Sequence, residues 1–123
     1  MRLTKNFSLS EFDCNDGTEM PSELLTNVLE LAENLQVLRD FVGVPIKINS
    51  SYRSLRHNAK IGGSKNSQHL FAKASDIVIE SKSPEQVANI IKVLISEGKM
   101  KQGGIGVYKT FTHYDIRGHK ARW

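Results

Sequence analysis

Residues 103–116 read Gly-Gly-Ile-Gly-Val-Tyr-Lys-Thr-Phe-Thr-His-Tyr-Asp-Ile, and this stretch predicts a hairpin of two antiparallel strands. The first strand is expected over residues 105–108 and the second over residues 111–116, with a tight turn between them. Side chains two residues apart on a strand lie on the same face of a sheet. We therefore expect His113 and Asp115 to point into one cleft.

Hydrophobic periodicity outside this hairpin predicts two long helices and two more strands. The helices are expected over residues 21–43 and 83–98, and the strands over residues 45–49 and 74–79. Helices and strands in this order predict the α+β class. The expected architecture is a small, mostly antiparallel sheet covered by helices.

The composition is that of an ordinary soluble domain. The chain has 123 residues and a net charge of +4, which fits a single domain over residues 1–123. No apolar stretch is long enough for a membrane helix, and the polar start Met1-Arg2-Leu3-Thr4-Lys5 is not typical of a signal peptide. Membrane insertion is therefore not expected. The basic residues are scattered, so nucleic-acid binding is not expected either. Cys14 is the one cysteine, which excludes an internal disulfide.

Asp76 falls inside an otherwise apolar predicted strand, where a carboxylate is costly unless it is paired or binds a metal. His69 precedes it in the sequence, and His113 lies on the predicted hairpin. Imidazole and carboxylate groups are good zinc ligands, and three protein ligands leave a fourth position for water, as in catalytic zinc sites.

Ion pairs are the alternative to a metal at these positions. Asp76 can pair with Arg53 or with Arg117, and Asp115 can pair with Arg117. The spacing of the residues alone leaves both interpretations open.

Two groups of residues, in this order along the chain, resemble a known family. The first group is Ser51-Tyr52-Arg53, Asn58, Gly62-Gly63, Ser67-Gln68-His69, Ala74 and Asp76-Ile77. The second group is Gly103-Gly104-Ile105-Gly106 and Phe111-Thr112-His113-Tyr114-Asp115-Ile116-Arg117-Gly118. Together they resemble the zinc D-Ala-D-Ala carboxypeptidase family, which also holds murein endopeptidases and phage endolysins. The Hedgehog signalling domain shares the broader fold, and the resemblance extends from about Phe7 to Trp123.

The resemblance implies a zinc ion bound by His69, Asp76 and His113. Asp115 is then the expected general base or transition-state stabiliser. Many relatives carry His-x-His in this segment, and that alignment makes Asp115 the ligand and His113 the acid/base. Other branches place a Glu three residues before the ligand histidine, where this chain has Thr110.

The resemblance also implies a substrate-facing arginine at Arg53. Its guanidinium is expected to pair with a peptide carboxylate or to polarise the scissile carbonyl. Ser67 and Gln68 are expected to line the cleft and to donate hydrogen bonds to the substrate.

The function implied by the resemblance is that of a zinc metallopeptidase acting on peptidoglycan stem peptides, of the carboxypeptidase or the endopeptidase type. The alternative is a catalytically inactive cell-wall-binding or structural module of the same fold. Synthesis in the cytoplasm followed by phage-type or other non-classical release to the cell wall is compatible with the sequence, and the oligomeric state stays open.

Overall fold

The longest helix forms where apolar residues recur every three or four positions. In the computed structural model, which describes residues 1–123, α1 spans Leu25–Val42. Its buried face consists of Val28, Leu31, Ala32, Leu35 and Leu38. Gly43 ends the helix in a left-handed conformation with φ of 71°, which glycine adopts without steric cost. The prediction of this helix is confirmed, although a short 3-10 turn, Ser22–Leu24, replaces its first α-helical turn.

Five strands form one sheet in the order β1-β2-β4-β3-β5. They are β1 Ile46–Ser50, β2 Ala74–Ile79, β3 Gly104–Val107, β4 Thr112–Asp115 and β5 Ala121–Arg122. All neighbouring strands are antiparallel except β3 and β5, which run parallel. The α+β class and the small, mostly antiparallel sheet are therefore confirmed. β5 was not predicted, because two residues are too few to show an alternating pattern.

The helices cover one face of the sheet and leave the other face to polar side chains. α3 spans Pro84–Ser96, and it packs with α1 on a core that includes Ile77 of β2 and Tyr114 of β4. Asp76 and His113 face each other directly in the β2–β4 register. Because side chains alternate along a strand, this pair points to the opposite, polar face.

Two short helical segments lie between β1 and β2, on the polar side of the sheet. α2 spans Leu55–Lys60, and a 3-10 helix over Gln68–Phe71 follows it. The 3-10 helix was not predicted from the sequence. None of the helices combines the length and the apolar character needed to cross a bilayer.

Candidate metal centre

Asp76 is at the centre of a buried cluster on the polar face of the sheet. Its Oδ1 lies 3.3 Å from His69 Nε2 and 3.2 Å from His113 Nδ1. Its Oδ2 lies 3.3 Å from Arg53 Nη2. The structure thus brings the three predicted metal ligands together, and it also contains the Asp76–Arg53 ion pair that the sequence left open.

The 3-10 helix holds His69 in one orientation. The backbone N–H of His69 donates to Ser67 Oγ at 3.2 Å, and its Nδ1 lies 2.6 Å from the Ser51 carbonyl oxygen. A carbonyl oxygen only accepts hydrogen bonds, so Nδ1 carries the proton of the neutral ring. The Nε2 lone pair of His69 therefore faces Asp76.

A carboxylate behind the ring holds His113 in the same way. His113 Nε2 lies 2.7 Å from Asp115 Oδ2, and a carboxylate also only accepts. In the neutral ring, Nε2 therefore carries the proton, and the Nδ1 lone pair faces Asp76.

Asp115 is fully buried and has a donor on each oxygen. Oδ1 accepts from the backbone N–H of Gly104 at 2.9 Å and from Arg117 Nε at 2.9 Å. Oδ2 accepts from Arg117 Nη2 at 2.8 Å as well as from His113. The sequence alternative of an Asp115–Arg117 pair is thus present in the structure.

Hydrogen bonds and burial act in opposite directions on the ionisable groups of this cluster. Burial raises the pKa of Asp76, but hydrogen bonds from His113 and His69 outweigh burial and hold that pKa well below its usual range. Burial lowers the pKa of His113, but hydrogen bonds to Asp115 and Asp76 outweigh burial and raise it. The metal-free cluster therefore favours ionised Asp76 and a proton on His113.

The donor set fits a zinc-class metal. With both rings neutral, two imidazole lone pairs and one carboxylate oxygen converge on the same point, where a metal ion can take the place of the proton on His113. Ligand atoms around a tetrahedral zinc lie about 3.4 Å apart, given bonds of about 2.0–2.1 Å. The separations of 3.2 and 3.3 Å within the cluster are close to this spacing, so His69, Asp76 and His113 need little movement to bind a metal.

The cluster forms the floor of an open cleft with a volume of about 640 Å³. Arg53, Ser67 and Gln68, which the sequence placed in the cleft, are among its lining residues. Asp115 is not a lining residue, because it lies behind His113.

Aromatic residues that sequence reasoning missed form one wall of the cleft. The rings of Tyr108 and Phe111 stack with centroids 4.5 Å apart, and Trp123 Nε1 donates to the Tyr108 hydroxyl at 2.6 Å. The Trp123 ring also lies 4.9 Å from the His113 ring. Strand β5 carries Trp123 to this position, so the missed strand explains why Trp123 was not expected in the wall.

Comparisons with known proteins identify the family of this chain. A sequence model of the family described as Peptidase M15 matches residues 4–115. A segment of 78 residues, 58% of this chain, is 32% identical to the zinc D-Ala-D-Ala carboxypeptidase of Streptomyces albus G. The match spans 31% of the length of that relative, so the two proteins are comparable over this segment alone.

Proposed function

The chain belongs to the peptidase M15 family, and from this premise we propose that it is a zinc-dependent peptidase that cleaves peptidoglycan stem peptides. The observation that carries the proposal is the convergence of His69, Asp76 and His113. Each histidine has its outer ring nitrogen tied to an acceptor, which leaves the inner nitrogen free for a metal. The relative from Streptomyces albus G, a zinc D-Ala-D-Ala carboxypeptidase, supports both the metal and the class of substrate.

A zinc ion with three protein ligands would supply a fourth position for water, lower the pKa of that water and polarise the scissile carbonyl. His69, Asp76 and His113 are the residues that would hold it. Asp115 fixes the ring of His113 and the tautomer it adopts, as carboxylates behind metal-bound histidines commonly do. We propose this positioning role for Asp115 in place of the general-base role expected from the sequence, because both of its oxygens are already engaged away from the cleft.

Arg53 is a cationic side chain that contacts Asp76 and lines the cleft. Its Nη2 contacts Asp76 while the side chain stays 14% exposed, so its guanidinium can also reach a bound peptide. A carboxylate of the peptide, or the oxygen that gains negative charge during cleavage, is the expected partner. Ser67 and Gln68 add polar groups on the same wall and are proposed substrate contacts.

A catalytically inactive module that binds cell-wall peptides is the second candidate. One observation favours it: Asp76 is the one carboxylate among the residues that line the cleft, so no second carboxylate stands ready to take a proton from water. Thr110, which occupies the place of a glutamate in other branches, is exposed and cannot serve as a base.

The two candidates differ in whether product appears. We expect the zinc-loaded protein to release new amino groups from purified peptidoglycan, to lose this activity with a chelator and to regain it with zinc. His69→Ala should abolish product and remove the zinc that this cluster binds, whereas His119→Ala, at an exposed histidine outside the cluster, should change neither. Binding to peptidoglycan without product would favour the inactive module. Unchanged zinc content in His69→Ala would contradict the proposed metal site itself.

A further inference from the structure

A second group of metal-binding side chains lies outside the cleft. Cys14, Asp16 and His57 each offer one ligand atom, and the three atoms lie within 4.8 Å of one another. Cys14 is buried, Asp16 is exposed and His57 is half-buried. We propose that Cys14, Asp16 and His57 bind a zinc-class metal ion at a site separate from the cluster around Asp76.

The three side chains come from two segments that meet at Ser54. The backbone N–H of Ser54 donates to Cys14 Sγ at 3.4 Å. The Ser54 hydroxyl donates to Asp16 Oδ2 at 3.0 Å and accepts from the backbone N–H of His57 at 3.1 Å. One serine thus sets the distance between the loop that carries Cys14 and Asp16 and the helix α2 that carries His57.

The types of the three ligand atoms favour some metals over others. A thiolate and an imidazole are the ligands of zinc and its soft neighbours, whereas magnesium and calcium prefer oxygen ligands alone. Three side chains with a water in the fourth position satisfy tetrahedral zinc. Ligand atoms in such a site lie about 3.5 Å apart, so short side-chain rotations bring the three atoms to bonding distance. The exposed carboxylate of Asp16 leaves a path by which the ion enters.

The position of this second cluster explains what a metal would do there. Ser54 follows Arg53 directly, and the Arg53 backbone N–H donates to the His69 carbonyl at 3.0 Å. Tying the Cys14 loop to α2 would therefore fix the wall of the cleft that carries Arg53. This metal would tie the two segments together, and it is additional to the one that the proposed function requires.

Cobalt spectroscopy tests the proposal because Cys14 is the one cysteine of the chain. A thiolate-to-cobalt charge-transfer band in the near ultraviolet can come from this cluster and not from His69, Asp76 and His113, which have no sulfur. We expect Co²⁺ added to the wild-type protein to give this band. The band should persist in His69→Ala, which disables the cluster in the cleft.

Variants of the second cluster should remove the band. Cys14→Ser should abolish it, and His57→Gln and Asp16→Asn should each weaken Co²⁺ binding at this site by at least about 10-fold. His57 and Asp16 are not fully buried, so these two variants test the proposal even where Cys14→Ser fails to fold. His119→Gln is the matched control and should keep the band.

Two outcomes would overturn the proposal. The first is the absence of a thiolate band at saturating Co²⁺ in the wild-type protein. The second is a band of unchanged affinity in both His57→Gln and Asp16→Asn, which would indicate a metal held by Cys14 alone. Neither outcome bears on peptide hydrolysis or on zinc bound by His69, so failure here is distinguishable from failure of the proposed function.

Discussion

Asp115 Oδ2 lies 2.7 Å from His113 Nε2, on the side of the ring that faces away from the cleft. Behind this contact, Arg117 and the Gly104 N–H hold the carboxylate from three directions. Arg117 holds Asp115, and Asp115 contacts His113, so a fixed negative charge lies behind the His113 ring. A carboxylate in this place raises the basicity of the ring and orients its lone pair toward a metal.

Asp115→Asn is expected to weaken zinc binding by about 10- to 100-fold. An asparagine side chain can donate as well as accept, so His113 Nε2 no longer has to carry the proton and the Nδ1 lone pair is no longer fixed. Zinc affinity is measured by competition with a chromogenic chelator. Asp13→Asn, at an exposed aspartate outside the cluster, is the control and should bind zinc like the wild type.

The same variant separates the two roles considered for Asp115. A general base lost to asparagine would leave zinc affinity unchanged and reduce kcat. A positioning residue lost to asparagine reduces zinc affinity first, and saturating zinc restores part of the activity. Unchanged zinc affinity together with a low kcat would therefore support the general-base role of Asp115 that was expected from the sequence.

The sequence predicted the strands that carry Asp76 and His113, because strands leave short, regular patterns of side chains. Residues 74–79 were expected as a strand and form β2 with the same bounds. The hairpin of β3 and β4 was expected from the tight turn between its two strands. Antiparallel pairing of β2 with β4 then sets Asp76 directly across from His113. The polar residue inside an apolar strand was the signal for the metal cluster, since its burial demands a partner.

Other features depend on contacts between distant segments and leave no local pattern. β5 has two residues, and it exists because Trp123 donates its backbone N–H to Ile105 and accepts from Val107. The place of Trp123 in the aromatic wall therefore could not be predicted. The sequence also placed His113 and Asp115 on one face, as the alternation of side chains along a strand requires. It did not show which of the two side chains faces the cleft. The structure puts Asp115 behind His113 because both Gly103 and Gly104 lack the Cβ that would occupy that space.

Gly103→Ala is expected to destabilise the protein by about 3 kcal/mol. A Cβ at position 103 would overlap the backbone carbonyl of Asp115, and backbone in the sheet cannot move aside cheaply. The displaced Asp115 should also lower the zinc content of the purified protein. Urea denaturation and elemental analysis measure the two effects.

Gly106→Ala, on β3 three residues further along the chain, is the matched comparison. A Cβ there would meet the indole of Trp123, a side chain that is 48% exposed and can move outward at the cost of its hydrogen bond to Tyr108. We expect a loss of less than about 1 kcal/mol and a normal zinc content. Equal losses in the two variants would contradict the view that the backbone next to Asp115 is the rigid part of the site.

Zinc is expected to raise the melting temperature more at about pH 8 than at about pH 6. Hydrogen bonds to Asp115 and Asp76 raise the pKa of His113 in the metal-free protein above its ordinary 6.5. The stability contributed by this raised pKa is complete below the unfolded-state pKa and is lost as the pH rises through the folded-state pKa. Zinc binds only the neutral ring of His113, so protons compete with zinc for this ring at the lower pH.

Thermal scans with and without zinc at the two pH values measure this difference. The pKa values of Asp76 and Asp115 are lowered, so the stability that they contribute is lost only in acid, below about pH 4. The stability contributed by Asp76 and Asp115 is therefore the same at about pH 6 and at about pH 8. Asp115→Asn removes one cause of the raised pKa and should make the zinc effect less dependent on pH. A zinc effect of equal size at both pH values in the wild type would contradict the assignment of His113 as a ligand.

Arg53→Ala is expected to reduce kcat/KM on a peptidoglycan peptide by about 100-fold while zinc content stays near that of the wild type. Arg53 contacts Asp76 through Oδ2, whereas the two histidines face Oδ1, so its loss leaves the metal-facing oxygen in place. Arg56→Ala, at an exposed arginine on α2, is the matched control and should keep full activity. Arg53→Lys keeps the charge without the planar fork, and a partial recovery of kcat/KM in this variant would identify the charge as the acting feature. Loss of zinc together with activity in Arg53→Ala would instead show that Arg53 supports the metal ligands and does not act on the substrate.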